Sequence, residues 1–310
     1  MKVMNSFMVK IYQAELVLDA RARLAECPLW SAAEQMLYWV DIAGCTINRL
    51  DPRLGQNQSW AMPCEPGCIG LAAGGGLVAA LRDGWYRFFP DTGSLSKIAD
   101  APYDTANMRF NDGRCDAAGR FWVGAMYEPR TSAAAGMYCL ERGKTRLGWG
   151  AAQDLGVKVS NGLAFSADGK TVYQSDTPNH VIYQFPFDAI QGRIGARKVF
   201  VKRPDDKAAI DYNGRPDGAA IDEENCYWSA QYEGGCVLRF SPGGEIIGRI
   251  QMPVMRPTML AFGGSDYRTI YITTARDGAS AEELAAQVHA GGIYACNADV
   301  AGRAEPHYLD

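Results

Sequence analysis

The sequence predicts an all-β fold, a six-bladed β-propeller with four-stranded blades around a central channel, and three of its features carry that prediction. The first is that helical periodicity is nearly absent, while short β-rich runs punctuated by Gly, Asp, Asn and Pro fill the chain. The second is a recurring aromatic-centred strand: MLYWVDI (36–42), GRFWVGAMY (119–127), TVYQSDT (171–177), CYWSAQY (226–232) and TIYITTA (269–275). Each precedes a strand with a similar ending: INRLDP (47–52), MYCLER (137–142), IYQFPF (182–187), VLRFSP (237–242) and IYACNA (293–298). The third is a motif just upstream of the aromatic strands: ECPLW (26–30), FNDGRCD (110–116), SNGLAFS (160–166), RPDGAAID (215–222) and RPTMLAF (256–262), with GCIGLAA (67–73) as a weaker copy. Counted from Glu26 through Cys68, Asn111, Asn161, Asp217 and Thr258, the units step by 42, 43, 50, 56 and 41 residues, which is blade spacing. One blade cannot bury both of its faces alone, whereas a closed ring of blades can.

The whole chain, residues 1–310, reads as one such domain, with the segment 12–22 supplying an outer strand that closes the ring. A net charge of −4 offers no electrostatic footprint for nucleic acid or for anionic lipid, so neither is expected as a partner. No apolar run approaches the roughly 20 residues of a membrane-spanning helix, and the first residues do not read as a signal peptide. Nine cysteines at irregular spacing argue for reduced thiols and a cytoplasmic location; Cys64 and Cys68, the one close pair, read as packed thiols. A monomer is the default expectation. The glycine run in AAGGGLVAA (72–80) reads as a turn, since no phosphate-binding helix follows it. Two insertions, 128–136 and 277–292, read as surface loops of the kind that also serve as lids, and the middle of the second favours a short helix.

The chemistry is bounded by what is scarce. Three histidines, none within a repeated motif, give no support to a Ser-His-Asp triad, and G-x-S-x-G, Walker A, dinucleotide and H-E-x-x-H motifs are all missing. Polar residues inside the repeats are more telling. Glu26, Asn111, Asn161 and Asp217 stand at one equivalent place, the start of the inner strand, and in a propeller these strand ends converge on the channel mouth. Glu26, Asn161 and Asp217 together offer hard oxygen ligands and two negative charges, a set suited to a small divalent cation. N-G and P-D-G are equally ordinary turn dipeptides, so spacing alone leaves both readings open.

At these residues the chain resembles the senescence-marker-protein/gluconolactonase family, the regucalcin-like lactonases, and especially bacterial sugar (pentono- and aldono-) lactonases. The resemblance runs through AECPLW (25–30), LYWVDI (37–42), RFNDGRCDAAGRFWVGAM (109–126), SNGLAFSADGKTVYQSDT (160–177), RPDGAAIDEENCYWSA (215–230) and RPTMLAFGG (256–264). It implies a six-bladed propeller with one divalent metal ion held by Glu26, Asn161 and Asp217. It also implies substrate contacts from Arg109 and Asn111, with Asp112 steadying the site. Glu128 lies in a variable loop that contributes acidic or polar substrate contacts in some members. The family's first motif often has glycine where this chain has Cys27, here read as a packed thiol. The implied activity is hydrolysis of an aldonolactone, a small-molecule sugar lactone, to the sugar acid by metal-assisted water attack, with Asp217 as catalytic base. All-oxygen ligation leaves Ca²⁺, Zn²⁺, Mn²⁺, Mg²⁺ and Fe(II) open. Tyr127 and Tyr232 read as blade packing, with stacking on sugar faces as a second use. Two other functions fit the same resemblance: an organophosphate or phosphotriester hydrolase on the same metal site, and a non-enzymatic calcium-binding propeller.

Overall fold

In the computed structural model, which describes residues 9–149 and 156–310, the strands form six small sheets arranged as the blades of a propeller. Their inner strands are Ala25–Ser31, Pro66–Leu71, Met108–Cys115, Ser160–Phe165, Arg215–Ile221 and Pro257–Gly263, and each packs beside the next around the ring, the last against the first. From each inner strand the chain meanders outward through antiparallel neighbours; blade one continues with Met36–Asp41, Thr46–Asp51 and Gln56–Ala61. The predicted four-stranded pattern holds in most blades. In blade four the outer position is shared by Arg193–Ile194 and Lys198–Lys202, and blade five gains a fifth strand.

The outermost strands of blades five and six come from loosely patterned sequence. Glu15–Leu18 pairs antiparallel with Ile293–Asn297 as the outermost strand of blade six, so that sheet contains segments from near both ends of the chain. Lys10–Gln13, just upstream, joins blade five instead, parallel to Ile246–Gln251. The loop that follows Thr269–Thr274 holds the short helix expected in 277–292. It spans Ala281–Ala286, and Ser280 and Glu283 close its first turn with a reciprocal capping box.

The recurring aromatic residues are explained by the seams between blades. Each seam carries an aromatic pair: Trp60–Phe88 at 5.5 Å between ring centroids, Trp85–Phe110 at 4.4 Å, Trp122–Phe187 at 5.8 Å, Tyr173–Tyr227 at 5.1 Å, Trp228–Phe262 at 6.1 Å and Trp30–Tyr271 at 5.5 Å. Flat, bulky rings fill the wedge between twisted sheets and add edge-to-face or stacked attraction to their burial. Blade two is the weaker repeat because its second strand, Leu77–Leu81, carries no aromatic; Trp85 of the next strand fills that seam. In blades three and five the buried indole is also tied to the end of its own inner strand. Asp116 accepts from Trp122 Nε1 and Asp222 from Trp228 Nε1, both at 2.8 Å, and Arg120 and Arg239 balance the two carboxylates.

The C-terminal tail crosses the downstream ends of the inner strands. Gly302 bridges to Asp222, Tyr308 pairs beside Ala72 and Leu71, and Leu309 N–H donates to Gly119. Glu305 and Pro306 of this tail line a small cavity of about 10 Å³ with Cys27, Gly113, Arg114 and Met259.

The seams make a direct prediction. Trp122 is fully buried and loses both its ring contacts and its hydrogen bond to Asp116 on truncation. Trp122→Ala is expected to destabilise the fold by about 3–5 kcal/mol. Urea denaturation checks this, and a loss below about 1 kcal/mol would contradict the role given to the seam.

Candidate active site

All six inner strands depart from regular pairing at the same level. The register shifts between Glu26 and Leu29, Pro66 and Cys68, Phe110 and Gly113, Asn161 and Ala164, Pro216 and Ala219, and Pro257 and Leu260. A bulge of this kind bends a strand and re-aims a side chain that the pleat would otherwise send to a blade face. Glu26, Asn111, Asn161 and Asp217 stand in or beside these bulges, and together with Arg109 they line one cavity of about 160 Å³. The sequence places these five residues up to 191 positions apart (Glu26 to Asp217), and the fold brings them to one spot.

Local backbone demands explain the neighbouring residues. Gly162 follows Asn161 with φ 62°, and a Cβ there would collide with the hydroxyls of Tyr227 and Ser175 and sit 2.9 Å from the Asp217 carbonyl oxygen. Only glycine lets blades four and five approach this closely. Cys27 also lies in the left-handed region, φ 46°, which accounts for the glycine often found there in the resembling family. Its buried thiol accepts from Ile69 N–H at 3.3 Å and faces Ile69 O at 3.4 Å, a packing role.

A relay of hydrogen bonds fixes the cavity wall across three blades. Arg109 donates to Asn111 Oδ1 at 2.7 Å and to Phe110 O at 2.9 Å. Asn111 Nδ2 donates to Asn161 Oδ1 at 2.6 Å and to Ser160 O at 2.9 Å. Asn161 Nδ2 in turn donates to Thr177 Oγ1 at 2.8 Å, and the Thr177 hydroxyl donates to Pro216 O at 2.7 Å, one residue before Asp217. Asp112 lies just behind this wall, fully buried. One of its oxygens accepts from Leu163 N–H at 2.8 Å while the other has no partner, so it braces the Asn161 bulge rather than lining the cavity.

The electrostatics are dominated by buried acids. Burial pushes the Glu26 carboxyl well above the usual range, reinforced by Asp217 and Asp112. Asp217 is pushed up in the same way, by burial first and then by Asp112, while Arg215 and Arg109 pull it down. Asp112 is raised to about 6, chiefly by burial. Among the described residues neither Glu26 nor Asp217 forms an ion pair, and their only hydrogen-bond donors are the backbone N–H groups of Cys27 and Gly218. Two buried carboxylates facing one cavity beside an amide carbonyl oxygen have the donor chemistry and charge deficit that a divalent cation satisfies. The residues therefore fit the ion that the resemblance implies.

Glu128 is placed differently from the other candidates. Arg82 holds it in a bidentate pair at 2.8 and 3.0 Å and also binds Glu65, and Glu128 approaches Arg109 Nε only to 3.9 Å. It is not among the residues lining the cavity, and its reach to the site runs through Arg109. Tyr232 does line the cavity, its hydroxyl donating to Asp277 O at 3.2 Å, whereas Tyr127 does not. Sequence reasoning missed Thr177, Arg130 and Arg215. Thr177 ends an aromatic strand motif and Arg215 sits two residues before Asp217, so both carried a positional signal; Arg130, in the loop after Tyr127, carried none. Cys68 is buried and Cys64 lies against Asp83, so this pair shares no ligand arrangement, and all nine cysteines are free thiols.

Comparison with known proteins agrees with this architecture. Residues 24–276 match the SMP-30/Gluconolactonase/LRE-like region family, and the chain belongs to that family. It is 44% identical over 286 residues to a 6-deoxy-6-sulfogluconolactonase of Pseudomonas putida, covering 91% of this chain and 94% of that protein. It is 32% identical to a pentonolactonase of Haloferax volcanii over 93% of this chain and 96% of the relative. Among solved structures, a calcium-binding protein, regucalcin, from Agrobacterium tumefaciens superposes with a TM-score of 0.89 at 26% identity, covering 97% of this chain and 99% of its own.

The acid pair predicts a pH signature. Because Asp217 is raised in the folded state, its neutral form is favoured at low pH, and stability is lost as pH rises and the buried carboxyl ionises. Asp217→Asn removes that loss. In the presence of a chelator the variant is expected to melt above the parent at pH 8 by about 2 °C or more, with the gap closing toward pH 4. An equal gap at both pH values would contradict the burial of an unpaired acid.

Proposed function

We propose that this chain hydrolyses aldonolactones to the corresponding sugar acids, using a divalent cation held by Glu26, Asn161 and Asp217. The observation that carries this reading is the pair of buried, unpaired carboxylates facing a cavity whose wall also presents Arg109 and Asn111. Membership of the gluconolactonase family and lactonase names for two relatives support the reaction class. When bound, the cation supplies Lewis-acid polarisation of the ester carbonyl and acidifies water.

The chain's own groups do the rest. Asn111 and Arg109 are pinned to each other and to the backbone, so they meet a sugar ring with donors and an acceptor already oriented. Arg109 offers N–H groups to ring hydroxyls or to the oxyanion as the carbonyl becomes tetrahedral. Asp217 takes a proton from the attacking water as its oxygen bonds to the lactone carbon. The bond from that carbon to the ring oxygen then breaks, and the proton passes to the ring oxygen, leaving an open-chain hydroxy acid. Thr177 and Asn161 keep the Asp217 bulge in place through the Pro216 carbonyl. Glu128 acts as a positioning group on Arg109, through the Arg82 pair.

Nine free cysteines support a reducing compartment, the cytoplasm, and the single ring of inner strands supports one domain over the chain. The relatives named above act on a pentonolactone and on a gluconolactone carrying a sulfo group, and both classes are within reach of this scaffold.

A pH-stat panel of pentono- and hexonolactones, run on chelator-treated protein with Ca²⁺, Zn²⁺, Mn²⁺ or Mg²⁺ added back, tests the reading. Turnover is expected only with added cation, and Asp217→Asn should lower kcat by about 10²–10⁴-fold. Undiminished turnover in Asp217→Asn would remove Asp217 from the mechanism. Cation binding without opening of any lactone would return the protein to the calcium-binding reading, and faster hydrolysis of a phosphotriester included in the panel would favour the organophosphatase.

A further inference from the structure

Three arginines line the cavity, and their charges are not equally answered. Arg109 faces the Glu65–Arg82–Glu128 cluster, in which two carboxylates meet two guanidinium groups. Arg215 pairs with Glu233 at 3.1 Å and lies 5.0 Å from the Tyr232 ring centre, but Glu233 also answers Lys207 at 3.3 Å, so one carboxylate serves two cations. Arg130 has no anionic partner among the described residues. Its own backbone is held in the left-handed region, φ 56°, with its N–H donated to Tyr127 O at 3.0 Å. A tight turn thus places Arg130, an exposed residue, at the edge of the cavity it helps to line.

Glu26 and Asp217 do not neutralise this positive charge once they hold a divalent cation, because their two charges are then spent on the ion. Among the described residues the cavity then has a cation without an anionic partner at Arg130 and a half-answered one at Arg215. An uncharged polyol gives these groups only neutral hydrogen bonds, whereas a sulfonate, phosphate or carboxylate gives Arg130 a bidentate, charge-assisted partner.

We propose that Arg130, seconded by Arg215, selects lactones that carry an acidic substituent away from the ester. The inference rests on the lactonase reading and adds the charge class of its substrate. Arg130 is a specificity-determining residue here and takes no part in the chemistry at the carbonyl.

The test compares glucono-1,5-lactone with its 6-sulfonate and 6-phosphate counterparts, at saturating divalent cation and with spontaneous opening subtracted. The parent is expected to prefer at least one acidic lactone in kcat/KM, and the preferred arm identifies the acid. In Arg130→Gln the ratio of acidic to uncharged kcat/KM is expected to fall by about tenfold or more, mainly through KM for the acidic substrate. Arg130→Lys should recover part of it. Added NaCl should erode the parent's preference more steeply than the Gln variant's. A merely structural role would lower both substrates together and leave the ratio in place, which overturns the proposal, as does a parent that prefers the uncharged lactone. Failure to open any lactone overturns the underlying lactonase reading instead, so the two failures are distinguishable.

Discussion

A carboxylate removed from water must find an opposite charge or hold its proton, and Glu26 and Asp217 are both removed from water without one. Much of the architecture serves this arrangement. Glu26 comes from blade one and Asp217 from blade five, and each is delivered by a bulge in an inner strand that is otherwise regular. Between them Asn111 and Asn161, from blades three and four, occupy the same level. Blades two and six supply Cys68 and Thr258 at the equivalent positions. The Thr258 hydroxyl is turned to the Ala25 carbonyl, so it braces the strand that carries Glu26 rather than opening onto the cavity. A sixfold scaffold therefore yields a one-sided set of oxygen-bearing side chains.

Holding like charges together requires a frame that does not relax. The aromatic seams supply it: every blade boundary is filled by large rings, and the blade-three and blade-five indoles are pinned to carboxylates at the ends of inner strands. Displacing one bulge would mean opening two seams, since each inner strand touches both neighbours. The relay from Arg109 through Asn111, Asn161 and Thr177 to Pro216 adds a polar brace across blades three to five. Its members are largely satisfied by one another, which is what makes a buried polar network rigid rather than costly.

Much of this was legible in the sequence, for a physical reason. A repeated blade repeats its solutions, so aromatic strands and bulge-forming N-G, N-D-G and P-D-G runs recur at readable intervals. The ligand-type residues stood out because the same position changes identity from unit to unit while its surroundings stay similar. What the sequence hid lies outside the repeat. The segment 12–22 was read as an outer strand, and Glu15–Leu18 within it is the outermost strand of blade six, but nothing in the pattern showed that Lys10–Gln13, its short neighbour, joins blade five instead, more than 200 residues away. The Arg82 clasp on Glu128 joins residues 46 apart with no shared motif, so an acidic residue near the site looked like a substrate contact when its oxygens face another arginine. Arg130 was invisible for the same reason: its place at the rim follows from a turn in an insertion that has no counterpart in other blades.

The rim charges have a second consequence on the proposed reading. Glu305 and Pro306 of the C-terminal tail meet inner-strand residues below the bulges, and Arg114 is clasped to Glu305 there. A lactone bound in this cavity and the acid formed from it both meet the charge that Arg130 places there. Ring opening of any lactone creates a new carboxylate, so the product always carries one more negative charge at neutral pH than the molecule that entered. A cationic rim attracts the substrate and retains the product by the same field, and the retention is the stronger of the two. The Glu65 and Glu128 carboxylates around Arg82 limit that effect on the Arg109 side by keeping the local charge near balance. Leaving Arg130 at the edge of the cavity rather than at its floor has the same sense. There, water and salt screen its field for substrate and product alike, which on the proposed reading limits how tightly the acid that leaves is held.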